Sequence, residues 1–162
     1  IPEEFREVMG NRLFGCDDCQ DVCPYNKKAA RGRHPEFAPI AEIGAEPDLL
    51  QVMAMTKGEF KRHWQQTAAA WRGKTTIQRN AVIALGNSGQ PEALPPLLEA
   101  LGSESPVMRA HAAWAVGRIG RTCPEVRAEA LAALQRRAEQ EQEAMVQVEL
   151  STALESLAGV KK

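Results

Sequence analysis

Arg79-Asn80-Ala81-Val82-Ile83-Ala84-Leu85-Gly86 returns some thirty residues later as Arg109-Ala110-His111-Ala112-Ala113-Trp114-Ala115-Val116-Gly117, with Gly86 and Gly117 at nearly the same phase. Each copy predicts a helix, and small residues such as Ala81, Ala84, Ala112, Ala113 and Ala115 let neighbouring helices approach closely. Between the copies, Pro91 to Leu101 predicts a second helix, apolar at Leu94, Leu97, Leu98 and Leu101 and ended by Gly102. The next unit repeats the plan with Pro124 to Ala138, facing inward at Val126, Ala130, Leu131 and Leu134. A third helix of the first type runs through Val146, Leu150, Ala153, Leu154 and Leu157 and stops at Gly159. One helix pair cannot cover its own apolar face, so paired helices at this period stack into a solenoid of HEAT type. Two and a half units are few for a free-standing solenoid, so this one is expected to dock on the domain before it. The polar run from Arg136 to Gln147 reads as an exposed continuation of its helix. Cys123 stands before Pro124 with no partner spacing around it, which makes it a structural, unligated cysteine.

Upstream of the repeat, Pro35, Pro39, Gly44 and Pro47 mark a loop. Asp48 is placed to cap a helix over Leu49 to Met55, and Thr56-Lys57-Gly58-Glu59 has the pattern of a capping box for the next. Phe60 and Trp64 stand one helical turn apart and read as core. From Lys57 to Arg79 there are six bases (Lys57, Lys61, Arg62, Arg72, Lys74, Arg79) against one acid, Glu59, a local net of +5. Trp64 and Trp71 interleave with these bases. Such a face suits an RNA backbone with an indole available for stacking, or else the tryptophans are core and the bases plain surface.

Three of the four cysteines fall in Gly15-Cys16-Asp17-Asp18-Cys19-Gln20-Asp21-Val22-Cys23-Pro24. Ferredoxin-type sites hold [4Fe–4S] clusters with C-x2-C-x2-C-x3-C-P, the last cysteine serving the other cluster of a pair. Here the run lacks its first cysteine, whose place is held by Leu13. Two residues between thiolates let one tight loop wrap a corner of a cube, and proline turns the chain away. C-x2-C alone suits zinc equally well, or two plain buried thiols; the third cysteine and the proline favour iron–sulfur. A cluster takes four thiolates and the run supplies three. With Ile1 as first residue, the expectation is the C-terminal part of a longer protein, with the remaining ligands upstream. Before the run, Pro2-Glu3-Glu4 predicts a helix start, with Phe5, Val8 and Met9 on one face and Gly10 at its end. Phe14 is placed to pack near a cluster or in the core. After it, Tyr25 to Pro35 carries Lys27, Lys28, Arg31 and Arg33 and no acid, either a solvated loop or a phosphate contact. His34 in this run does not read as a ligand.

The net charge of −1 excludes a global basic signature, so any nucleic-acid face is local. No run of about eighteen apolar residues exists to cross a membrane. Clustered free thiols fit a reducing cytoplasm.

Gly10-Asn11-Arg12-x-x-Gly15-Cys16-Asp17-Asp18-Cys19-x-x-x-Cys23-Pro24 joined to a short HEAT-like tail resembles the C-terminal half of the epoxyqueuosine reductases, which complete queuosine in tRNA. The segment Arg79 to Asn87 also looks like that family. The resemblance implies reduction of the epoxide of epoxyqueuosine at the tRNA wobble position, with two [4Fe–4S] clusters and a cobalamin. It implies that Cys16 and Cys19 ligate one cluster and Cys23 the other, and that Cys16 and Asp17 lie against the cobalamin. The solenoid and the basic segments (Lys27, Lys28, Arg31, Arg72, Lys74, Arg79) would hold the tRNA. The family's catalytic acid, its first cysteine motif and its cobalamin domain are absent from this sequence, so the chain alone is expected to be inactive and to act as a monomer with that missing region. The expected fold is mostly α, a ferredoxin-like cysteine-loop segment (1–34), a helical linker region (35–75) and HEAT-like repeats (76–160). Two other classes compete: a ferredoxin-type electron-transfer subunit with a HEAT docking tail, and a zinc-stabilised HEAT adaptor.

Overall fold

The computed structural model describes residues 1–30, 32 and 34–159, and these hold helices and no strand. Four short α-helices come first: α1 (Glu3–Arg6), α2 (Asp18–Asp21), α3 (Leu49–Ala54) and α4 (Lys57–Glu59). Five longer ones follow: α5 (Lys74–Ser88), α6 (Leu94–Ala100), α7 (Pro106–Thr122), α8 (Arg127–Gln140) and α9 (Ala144–Ala158). Helices α5, α7 and α9 lie side by side with α7 in the middle, and α6 and α8 pack beside them as a second layer. This is the helix-pair stack the repeat predicts. The main core runs from Val82 and Leu85 through Leu94, Leu97, Val116, Ile119 and Leu134 to Leu150 and Leu157, all buried.

The repeated glycines mark the points where the first-layer helices cross. A Cβ on Gly86 would stand 2.8 Å from Ala115 Cβ and 2.9 Å from its Cα. One on Gly117 would stand 2.8 Å from Ala153 Cβ. Successive helices therefore touch backbone to backbone at the same position of each unit, which fixes the repeat phase read in the sequence.

Arg136 to Gln147 departs from the expected exposed helix. Helix α8 ends at Gln140, and the chain turns on Glu141, whose side chain is 2% exposed. Arg109 meets the Glu141 carboxylate with two bonds, Nε at 2.8 Å and Nη2 at 2.9 Å, and Arg137 donates to it from Nη2 at 2.7 Å. The amides of Gln142 and Glu143 donate to its other oxygen, both at 3.1 Å. A polar sequence here conceals a buried ion triad. The Arg109 hydrogen bond above all holds the Glu141 carboxyl below the usual carboxylate range.

Residues 48–72 pack onto the start of α5 through a second core of Val52, Met55, Trp64, Ala69, Ile77 and Ala81. Asp48 caps α3, accepting from Leu50 N at 2.8 Å and Gln51 N at 3.0 Å. Thr56 and Glu59 form the capping box of α4, which runs directly into a π-helical turn over Phe60–Trp64. Cys123 is buried, and its thiol donates to Gly89 O at 3.2 Å.

His111, 5% exposed on α7, is held neutral. Its Nδ1 lies 2.7 Å from Val107 O, and the Ile1 nitrogen stands 3.1 Å from Nε2. Burial pushes its pKa down to about 4, the Val107 bond opposes this, and the positive charges of Arg6 and Arg79 add to the fall. The unfolded chain binds a proton at this histidine below about pH 6.5 while the folded chain stays neutral to about pH 4. Stability is therefore complete above pH 6.5 and falls as the pH drops from there to 4, by on the order of 3 kcal/mol. Urea midpoints measured across that window should fall steeply for the native protein, and His111→Gln should flatten the curve. An unchanged slope in the variant would place the acid sensitivity elsewhere. The Glu141 contribution is lost only below its ordinary value of 4.5, so the two windows are separable.

Candidate cysteine and nucleic-acid site

The segment that carries the cysteines is laid along the solenoid by side chains of the repeat helices. Instead of an apolar face, α1 turns Arg6 inward, 4% exposed, and leaves Phe5 55% exposed, and Val8 in the turn after it is 71% exposed. Arg6 pairs bidentately with Glu149 on α9, one bond at 2.7 Å, and its guanidinium lies 5.6 Å from the Trp114 ring centre. Arg118 on α7 pairs with Glu7 at 3.0 Å. Two asparagines on α5 hold the rest by its carbonyls. Asn87 Nδ2 donates to Arg6 O at 2.7 Å and Gly10 O at 3.0 Å, and Asn80 Nδ2 donates to Leu13 O at 2.6 Å. Seven residues apart, Asn80 and Asn87 sit two turns apart on one face of α5, so a single helix sets the path of the chain into the cysteines. Gly15, with φ +66°, makes the turn that follows, a conformation L side chains rarely adopt.

Beyond that turn Cys16 and Cys19 are exposed and Cys23 is half-buried, all as free thiols. Cys19 lies within α2, the single turn between the other two. Asp17, at the N-cap of that turn, accepts from Gln20 Nε2 at 3.1 Å. Arg12 pairs with Asp18 at 2.6 Å and ties the turn back to the preceding segment. Among the described residues no group of three His, Cys, Asp or Glu side chains is gathered to hold a metal ion. As a donor set the three thiols suit the corner irons of cubane clusters, short by the thiolates that four-coordination of each cube requires.

Cys16 forms part of the wall of an open cleft of about 980 Å³ shared with Arg12, Phe14, Trp71, Arg72 and Arg79. Phe14, 44% exposed, faces this cleft and not the core. The two tryptophans of the basic stretch part company: Trp64 is buried, while Trp71 is 81% exposed at the rim of the cleft. The Arg72 guanidinium lies 4.6 Å from the Trp71 ring centre. Arg79, half-buried, bonds to Asn80 Oδ1 at 3.2 and 2.8 Å, and burial holds its pKa below the ordinary value. Lys74 is turned to the fold instead, donating to Met55 O at 3.2 Å and Gln78 Oε1 at 2.7 Å at the end of α3. Lys27 and Lys28 are exposed on the 3-10 turn Asn26–Lys28, and Arg31 lies outside the described residues. His34 is exposed beside Glu36 at 3.1 Å. Sequence reading missed Arg6, Arg12, Asn80 and Asn87 as parts of the site; an asparagine repeated at seven residues on a helix was the available signal for the last two.

A family model of HEAT repeats matches residues 69–157. The chain belongs to the HEAT-repeat family. Over its whole length this HEAT protein is also homologous to the epoxyqueuosine reductases, in their C-terminal part. It is 42% identical to epoxyqueuosine reductase of Bacillus subtilis over 163 residues, all of this chain and 41% of that protein. With epoxyqueuosine reductase of Bacillus cereus it shares 40% identity over 121 residues, 74% of this chain and 32% of that one. Among solved structures it resembles a crystal structure of epoxyqueuosine reductase with an epoxyqueuosine-modified tRNA-Tyr stem loop, with a TM-score of 0.86 at 40% identity, over 98% of this chain and 40% of that one. The chain thus spans no more than 41% of the length of each of these relatives. No helix among the described residues is long and apolar enough to cross a membrane.

Proposed function

We propose that this chain is the cluster-ligating and RNA-docking part of an oxidoreductase that converts epoxyqueuosine to queuosine in tRNA. The observation that carries the reading is the match to epoxyqueuosine reductase along the entire chain, cysteine segment and solenoid together. These matches favour neither an electron-transfer subunit nor a zinc adaptor.

In this reading Cys16 and Cys19 ligate one [4Fe–4S] cluster and Cys23 a second, with the other thiolates supplied from outside this sequence. Cys16 and Asp17 lie against a cobalamin. When bound, these groups supply single electrons and a low-potential centre for reductive opening of the epoxide. The chain's own residues set the geometry around them. Asn80 and Asn87 fix the backbone from Arg6 to Leu13, and the Arg12–Asp18 pair holds the turn that carries Cys19. The tRNA backbone is taken by Arg72 and Arg79 at the cleft and by Lys27, Lys28 and Arg31 on the segment after the cysteines. Lys74, grouped with these bases by the sequence, is committed to Met55 O and Gln78 Oε1 and is left out of the backbone contact.

The test is anaerobic analysis of the full-length protein. Two clusters of four irons predict about eight iron and eight sulfide per chain. Cys19→Ser and Cys23→Ser should each lose about half of both, with a matching fall in visible absorption. Wild-type iron and sulfide in Cys19→Ser, or zinc without iron in the native protein, would contradict the assignment.

A further inference from the structure

We propose that Trp71 and Arg72 form a stacking platform for one unpaired nucleobase of the bound RNA, with Arg79 receiving a neighbouring phosphate inside the cleft. The inference rests on the RNA-docking reading above and adds to it a site and a mode of recognition. A tryptophan 81% exposed is unusual, because the indole is the largest apolar side chain and is normally well buried. Here its backbone is anchored. It stands on a 3-10 turn, Ala68–Arg72, anchored by buried Ala69 and by the Thr67 hydroxyl, which donates to Trp64 O at 2.8 Å.

Arg72 covers one face of the indole at 4.6 Å, leaving the other for a flat partner. A guanidinium stacked on an indole is itself a surface that nucleobases stack on. The chemistry next to it is anionic in preference. The walls of the cleft include Arg12, Arg72 and Arg79 and no carboxylate. Arg12 is satisfied by Asp18, whereas among the described residues Arg79 has only the Asn80 amide oxygen and Arg72 only the indole. Two guanidiniums without a counter-charge beside an open aromatic face match a ligand that joins a π-face to a phosphate, which is a nucleotide. A single-stranded RNA loop offers such a unit, whereas paired bases keep their faces covered.

The experiment uses the full-length protein and an RNA hairpin of tRNA anticodon-arm size, unmodified and carrying 2-aminopurine in its loop. Binding is followed by anisotropy and by 2-aminopurine fluorescence, with melting temperature as a check on folding. Trp71→Ala should raise Kd about ten- to a hundredfold, abolish the fluorescence change and leave the salt dependence of binding as it was. Trp71→Phe should recover most of the affinity. Arg79→Gln should instead lower the slope of log Kd against log salt by about one. If Trp71→Ala binds the hairpin as the native protein does, the platform is wrong while RNA docking stands. If the native protein does not bind the hairpin at all, the RNA-docking reading fails with it. A fall in melting temperature of Trp71→Ala alongside lost binding would assign Trp71 to packing against the rest of the protein and overturn the platform.

Discussion

Glu141→Ala is expected to lower folding stability by about 3–5 kcal/mol, the usual cost of removing one partner from a buried ion pair. The carboxylate is 2% exposed and collects six hydrogen bonds, two each from Arg109 and Arg137 and one from each of the two following amides. Its loss strands the Arg109 guanidinium, 10% exposed, between the loop before α7 and the turn before α9. The remaining partners of Arg109, the carbonyls of Ser103 and Glu104 at 2.9 and 3.0 Å, take only Nη1. Chemical denaturation measures the effect directly. The double variant Glu141→Leu/Arg109→Met should recover a large part of the loss, because it removes the stranded charge as well. A loss below about 1 kcal/mol in Glu141→Ala would mean that the triad is solvated.

The second large effect is steric. Gly86→Val and Gly117→Val are each expected to cost about 3 kcal/mol or more, the upper range for overpacked cores. A side chain at Gly86 meets the α7 backbone itself at Ala115 Cα, 2.9 Å away, so only movement of a whole helix relieves it. Gly58→Ala serves as the contrast. Its Cβ would meet the end of the Arg62 side chain at 3.3 Å and Thr56 Oγ1 at an ordinary 3.8 Å, so the helix-propensity gain of up to about 1 kcal/mol should show. Thermal melts of the three variants decide the matter. Equal melting temperatures would contradict the helix crossings described here.

These two cases also show how far the sequence could be read. The repeated glycines announced the repeat and its phase, because close helix crossings accept no Cβ and the pattern is local to each helix. Glu141 was invisible for the opposite reason. It lies in a run of charged residues, and its partner Arg109 is thirty-two residues away across a turn, so only tertiary placement distinguishes it from a solvated glutamate. The tryptophans make the same point within one stretch. Trp64 and Trp71 sit in similar basic surroundings, yet the π-helical turn takes one into the second core and the 3-10 turn before Gly73 carries the other outward. The cysteine motif was legible as chemistry. Its attachment was not, because Asn80, Asn87 and Arg6 act through backbone carbonyls and a carboxylate far along the chain. Lys74 was counted with the basic face by composition, while its ammonium closes the end of α3.

The measurement that bears most directly on the central claim is turnover. The full-length protein, reconstituted anaerobically with iron, sulfide and cobalamin and given a chemical reductant, is incubated with a tRNA stem loop bearing epoxyqueuosine, and the nucleosides are resolved by mass spectrometry. Conversion to queuosine, lost in Cys16→Ser and Cys19→Ser with the hairpin still bound, is the predicted result. Iron-loaded protein that binds the stem loop and leaves the epoxide intact would contradict it.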